Sequence, residues 1–320
     1  MSGKNLAERI EQQEREFRLY SDAIALFASI RAYFQNYQFT VHVEPTVRTG
    51  PEARQLVPDL LVKTIAGWTV IEHKGSLPRS RKRLEAELGD ISKYAQTTTF
   101  NNSAFNPQVV LLCPRKLADD IIAQKKSGLQ LPNVISYTSP MERVCTLGLE
   151  EGELTDVYLK DIFARNSGRV NMDTDITERY KYKFIRREPP IPYTTHFIWA
   201  FINLSKDAFQ KEVVVEYDKL IQMMNDFCPP WCAEARQLSE GRLKKAVSFL
   251  KRLGWVKFDA DTKRLTADTS RGTKVGRLEE YLCEKFVKQS EEIPTKQLER
   301  KSPEQLVGMK RLEEYFPKQS

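Results

Sequence analysis

The spacing of apolar residues divides the chain into stretches of different period. Over about residues 5–37, Ile24, Phe27, Ile30, Ala32 and Phe34 recur at helical spacing and predict one long first helix. From residue 39 the period becomes two. FTVHVEPTV (39–47) sets Phe39, Val41 and Val43 on one face of a strand. Gly50-Pro51 marks a turn, and DLLVK (59–63) and WTVIEHK (68–74) read as two short strands joined through Ala66-Gly67. The charged stretch 80–97 predicts a helix. PQVVLLCP (107–114) is nearly continuous in apolar residues, as a strand covered on both faces would be. A short helix over 116–127 and a strand at 133–138 complete the order helix, three strands, helix, strand, helix, strand.

The character changes after residue 150. A polar stretch over 151–192 ends in Glu-Pro-Pro-Ile-Pro and reads as a connector. Beyond it, 196–204, 216–227 and 239–254 have helical patterns, the last with Ser239 as N-cap and Gly254 as the residue just past its end. WVKFDADTKRLTA (255–267) predicts a hairpin turning at 259–262. Helices followed by a hairpin resemble a winged helix-turn-helix. A last helix over 275–288 precedes a Lys/Glu-rich tail. The expected organisation is therefore an α/β domain over 1–150, a connector over 151–192, a mainly α winged-helix domain over 193–290 and a tail over 291–320.

Composition narrows the class of partner. With 41% hydrophobic and 29% charged residues the chain has enough apolar material for a core, which sets it apart from disordered chains. No run of roughly 18 apolar residues suggests a transmembrane helix, and the polar N-terminus lacks the apolar core of a secretory signal. Five scattered cysteines suit a reducing compartment better than a disulfide framework, so a cytoplasmic or nucleoid-associated location is expected, with no membrane partner. Cys228 and Cys232 have no second Cys or His pair beside them and read as ordinary thiols. The net charge of +7, with basic runs at 79–83, 180–187 and 241–252, favours a polyanion partner.

Strand alternation supplies the candidate chemistry. Glu72 and Lys74 point to one face and His73 to the other, where it reads as a packed core histidine. Asp59 opens the neighbouring strand, so the hairpin can bring it beside Glu72. Two adjacent carboxylates attract a hard divalent cation such as Mg2+. Such an ion polarises a phosphate and lowers the pKa of a bound water. Lys74 on the same face can stabilise the developing charge.

Pro58-Asp59, then Glu72-His73-Lys74 at the end of the next strand, with the helix that follows, resemble the PD-(D/E)xK nuclease superfamily. The resemblance covers roughly residues 15–140. It implies a restriction-endonuclease-like α-β-β-β-α-β core and a metal-dependent DNA endonuclease. Asp59, Glu72 and Lys74 would be catalytic, Mg2+ the cofactor with Mn2+ as a substitute, and repair, replication, restriction or transposition the setting. It also implies a third acidic ligand, for which Glu44 in VHVEP is the choice over Asp22, Glu14 and Glu16 of the first helix, and polar contacts to DNA from Lys93, Tyr94 and Gln96. A homodimer is allowed for. The rivals are an inactive DNA-binding protein that keeps the fold, and a scaffold that recruits other proteins.

In the second domain, Leu243, Ala246, Val247, Leu250 and Leu253 form one apolar stripe. That turns Arg242, Lys244, Lys245, Lys251 and Arg252 outward, where a recognition helix meets DNA, with Lys263 and Arg264 at the wing. The tail's Met309, Leu312, Tyr315 and Phe316 resemble a sliding-clamp (PCNA) binding box, with Met309 in place of its usual Gln.

Overall fold

A computed structural model of the chain describes residues 3–33, 39–78, 80–96, 98–125, 131–138, 144–172, 188, 190–204, 212–226, 239–268 and 281–285. The chain divides into two compact units. One comprises Glu16–Arg186 with Asp226–Ser239. The other comprises Met1–Arg15, Arg187–Asn225 and Glu240–Ser320.

Helix α1 (Gly3–Tyr33) is buried without interruption from Ala23 to Ile30. Ala23, Ala25, Ala28 and Ser29 fill the positions between Ile24, Leu26, Phe27 and Ile30, so this stretch is covered all round rather than along one stripe. It packs on a seven-stranded sheet of order β1-β4-β5-β8-β9-β10-β11. These strands are β1 (Thr40–Val43), β4 (Leu60–Thr64), β5 (Gly67–His73), β8 (Gln108–Pro114), β9 (Asn133–Tyr137), β10 (Val144–Glu151) and β11 (Arg169–Asn171). β5 runs parallel to β8 and β8 to β9, each crossover carrying a helix: α2 (Arg81–Ser92) and α3 (Arg115–Lys125). The other pairs are antiparallel.

Alternation divides the core into two layers. Val41, Leu60, Val62, Ile71, Val110 and Leu112 face α1, joined by Leu159 and Ile162 of α4 (Val157–Asn166). Leu61, Val70 and Leu111 face α2 and α3, where Leu84, Leu88, Ile91, Ala118 and Ile121 meet them. The near-continuous apolar run of β8 follows from its place in the middle, covered on both faces.

The expected element order survives with four departures, the first being β10 (Val144–Glu151), a strand absent from the expected order. FTVHVEPTV is not one strand: Glu44 takes a left-handed φ of 48° and Pro45 has no N–H to give, so β1 ends there. Two hairpins are inserted: β2–β3 (Val47–Thr49 and Arg54–Leu56) and β6–β7 (Thr98–Phe100 and Ser103–Phe105). They join as a separate four-stranded sheet, β3-β2-β6-β7. The segment read as a connector carries α4 and β11, and β11 extends the main sheet beside β10. Asp156 caps α4, accepting from the amides of Tyr158 (2.9 Å) and Leu159 (3.0 Å), and its carboxylate also takes the Thr64 hydroxyl. Polarity misled the reading there because that segment's contribution is a short edge strand and a capped helix.

The other unit contains α5 (Pro190–Leu204), β12 (Glu212–Glu216), α6 (Tyr217–Asp226), α7 (Ser239–Arg252) and the hairpin β13–β14 (Val256–Asp259 and Arg264–Asp268). The strands order as β12-β14-β13. α5 starts earlier than its sequence pattern suggests, because Pro190 and Pro192 lie in a first turn whose amides need no partner. EVVVE was missed as a strand; it buries Val213 and Val215 while Val214 faces out. α7 ends as expected. Gly254, at φ 70°, lets its own N–H reach Lys251 O (3.0 Å) and the Trp255 N–H reach Leu250 O (3.0 Å), a Schellman ending. Among the described residues no helix is long and apolar enough to cross a membrane. The clamp-box residues Met309, Leu312, Tyr315 and Phe316 lie outside the described residues, as do Cys228, Cys232 and the basic run 180–187.

Candidate active site

Adjoining ends of β4 and β5 form the candidate site. Leu60 pairs with Ile71 in an antiparallel register, so one step further sets Asp59 across from Glu72. Both lie on the α2 side of the sheet, the side of Leu61 and Val70. Asp59 is 1% exposed and Glu72 8%. The His73 amide donates to Asp59 Oδ2 at 2.7 Å, a charge-assisted bond that fixes that carboxylate against the neighbouring strand. Burying two carboxylates at facing positions is costly in a region of low dielectric, unless positive charge joins them or one holds a proton.

Lys74 is one residue past β5, and its N–H continues the parallel ladder by donating to Leu112 O at 2.9 Å. Its side chain leaves on the same face as Glu72. The ammonium, however, lies 2.6 Å from Glu87 Oε2 on α2, both side chains being about one-quarter exposed. Arg83 Nε approaches the other oxygen of Glu87 at 3.2 Å. Sequence reasoning did not single out Glu87. Nothing in KRLEAELGD distinguishes it from Glu85; only the packing of α2 on the sheet selects the one that faces Lys74.

Glu44 neighbours Asp59 on the other side, its N–H donating to Asp59 O at 2.9 Å. The Tyr20 hydroxyl, from the α1 layer, lies 3.2 Å from Glu44 Oε1 and 3.4 Å from Asp59 O. The carboxylate expected as a third metal ligand is thus engaged from α1 and by a left-handed turn. Among the described residues no group of three or more His, Cys, Asp and Glu stands together as a ligand set. The donors that do face each other are Asp59 and Glu72. A pair of carboxylates with water and phosphate oxygens completing the shell is the habit of Mg2+, so these residues fit that ion.

His73 points to the α1 side. The Tyr137 hydroxyl donates to Leu19 O (2.9 Å), which leaves its oxygen to accept from His73 Nε2 (2.9 Å). Burial pushes the Tyr137 hydroxyl far above its ordinary pKa, so it stays a neutral donor. Burial likewise pushes the thiols of Cys113 and Cys145 up to about 12, which makes them packing groups rather than nucleophiles.

Of the residues expected to touch DNA beside this site, Tyr94 does not reach the surface. It is buried in the α2-side core, and the aromatic that looked like a contact is a packing residue. Lys93 is paired with Asp90, and Gln96 is exposed.

In the other unit Lys244, Lys245, Lys251, Lys263 and Arg264 are exposed. Arg242 is not turned outward. Its Nη1 donates to Glu188 O at 2.6 Å and its guanidinium lies 5.8 Å from the Tyr193 ring centre. The buried Glu188 carboxylate in turn pairs with His196 Nδ1. Arg242 therefore holds its own unit together, a role that helical spacing could not separate from an outward one. Comparison with protein-family models, with curated proteins and with solved structures gives no match to this chain.

Proposed function

We propose that the chain is a metal-dependent DNA endonuclease with a PD-(D/E)xK-type core and a winged-helix second unit. The observation that carries this reading is the facing pair Asp59 and Glu72, both nearly buried, with Lys74 leaving the same face. Two carboxylates at facing positions suit a site completed by an ion and by phosphate oxygens. Mg2+, with Mn2+ as a substitute, would be held by these two carboxylates and would supply phosphate polarisation and an acidified water.

The chain's own residues do the rest. The His73 amide keeps Asp59 in a fixed orientation, so its oxygens need not reorganise when charge develops. Lys74, once released from Glu87, meets the negative charge of the attacked phosphodiester. The order α5-β12-α6-α7-β13-β14, with β12 completing a three-stranded sheet, supports the winged-helix reading. The exposed lysines of α7 and the turn residues Lys263 and Arg264 would then meet phosphates. Repair, replication, restriction or transposition would supply the substrate, in the cytoplasm or nucleoid, and a sliding clamp would be the partner of the tail.

One observation favours a second reading. Lys74 is spent on Glu87, as it would be in a protein that keeps the fold to bind DNA without cutting it. Incubation of the full chain with labelled duplex, flap, junction and single-stranded DNA, with Mg2+ or with chelator, decides between the two. The nuclease reading expects metal-dependent products that vanish in Asp59→Asn. DNA binding without products on any substrate leaves the second reading.

A further inference from the structure

Lys74 and Arg83 reach one carboxylate from two different elements. Lys74 lies one residue past β5 and two beyond Glu72, about 7 Å further along the chain on the same face. Its N–H is pinned to Leu112 O, so the sheet fixes the root of its side chain. Arg83 lies in the first turn of α2, where the Ser80 hydroxyl accepts from its backbone N–H at 3.3 Å and holds the start of the helix. Glu87 stands one turn later. It is three residues after Leu84 and four before Ile91, and so leaves α2 toward the side that packs on the sheet.

The contacts divide evenly over the carboxylate. Lys74 Nζ donates to Glu87 Oε2 at 2.6 Å and Arg83 Nε to Oε1 at 3.2 Å. Among the described residues neither cation meets any other carboxylate. Two cations on one carboxylate leave one positive charge over. The Arg83 side chain is 47% exposed and presents the rest of its fork to solvent. The Glu87 side chain is 27% exposed, so these two donors stand in for much of the water it has lost.

We propose that Lys74 and Arg83 form an anion site for a backbone phosphate of the substrate, and that the Glu87 carboxylate fills this site until the phosphate enters. That the anion is a phosphodiester rests on the nuclease reading. The exchange is chemically even: a phosphodiester, like a carboxylate, carries one negative charge on two equivalent oxygens, and each oxygen can take one of the two cations. The place also suits it, since Lys74 adjoins Glu72 and a phosphate held at its ammonium stands at the edge of the acidic pair. While Glu87 holds Lys74, the ammonium does not close on Asp59 and Glu72, and the pair stays open to an ion. The Lys74–Glu87 contact is then the resting state of the site rather than its loss.

The test measures binding of the full chain to labelled duplex DNA in chelator, at about 0.1 M salt, for the wild type, E87Q, R83Q, E85Q and K82Q. Glutamine keeps the shape of Glu87 and removes the charge that competes with phosphate, so E87Q binds about eightfold more tightly, the effect of one net charge at that salt. R83Q binds about eightfold more weakly. E85Q and K82Q make the same charge changes at exposed neighbouring positions of the same helix and move affinity less. A gain in E87Q no larger than that in E85Q overturns the placeholder, and a loss in R83Q no larger than that in K82Q overturns the anion site. Should E87Q fold poorly, R83Q, altered at an exposed side chain, still decides. Cutting by the wild type with Mg2+ is scored in parallel. Cutting without the E87Q gain sinks the placeholder alone. The E87Q gain without cutting sinks the nuclease reading and leaves an anion site in a DNA-binding protein. No DNA binding by the wild type or E87Q sinks both.

Discussion

The end of the β4–β5 hairpin and the basic face of α7 were drawn from the same kind of pattern, and they turn out differently. At the hairpin, alternation places Asp59, Glu72 and Lys74 on one side of the sheet, and the backbone register carries that placement. On α7, helical spacing turns Lys244, Lys245 and Lys251 outward but misjudges Arg242, which is drawn inward by Glu188 and Tyr193. The lesson concerns partners. Periodicity fixes the direction in which a side chain leaves the backbone. What a long cation then touches depends on residues far off in sequence, Glu87 in one case and Glu188 in the other.

The largest effect that could break this comparison is at the acidic pair. Asp59→Asn and Glu72→Gln should each abolish metal-dependent cutting. Mg2+ should raise the melting temperature of the wild type, since an ion bound only by the folded state stabilises it, and should leave both variants unmoved. A wild type indifferent to Mg2+ in scanning calorimetry would empty the site of its proposed role.

Arg242 sharpens the contrast on the other side. Arg242→Ala should destabilise the folded chain by about 1–3 kcal/mol, because it strips a charged donor from a buried carbonyl, whereas Lys245→Ala should change stability by less than about 0.5 kcal/mol. Urea unfolding of the two variants measures both values, and equal effects would remove the distinction between inward and outward cations.

A smaller effect is expected for Lys244, Lys245 and Lys251 replaced together by Ala. If α7 meets DNA, the salt slope of binding should fall by about 2.7, roughly 0.9 per contact. A slope that does not move would assign this face to a protein partner. The smallest and most local effect is the heat of mixing a 301–320 peptide with a sliding clamp. Four apolar anchors on a short helical turn should give weak, micromolar binding. No heat at high micromolar clamp would leave the tail without that partner.

Much of the first unit was legible because its elements announce themselves locally. Val41, Val43, Leu60, Val62, Leu61 and Val70 occupy the faces that alternation assigns them. His73 lands on the α1 side for the same reason. What was not legible is non-local. Short strands such as β2, β6 and β11 have too few residues to display a period, and they exist because a neighbouring strand offers hydrogen bonds. Tyr94 looked like a surface ligand because a tyrosine after a polar stretch carries no mark of the core that receives it. Glu87 is invisible for a related reason: it is one of many charges on an amphipathic helix, and only the crossover from β5 sets it over Lys74.

The covered stretch of α1 has a consequence for how the protein is made. Residues 23–30 are synthesised well before the surfaces that shelter them, which include Val110, Ile135 and Tyr137. At roughly 5–20 residues per second, a ribosome needs on the order of 5–20 s to deliver Tyr137 after Ile30. During that interval an apolar helix with no polar face over two turns waits for its sheet. The same close packing that insulates the candidate site from one side thus makes the nascent chain a natural client for whatever shields hydrophobic segments as they leave the ribosome.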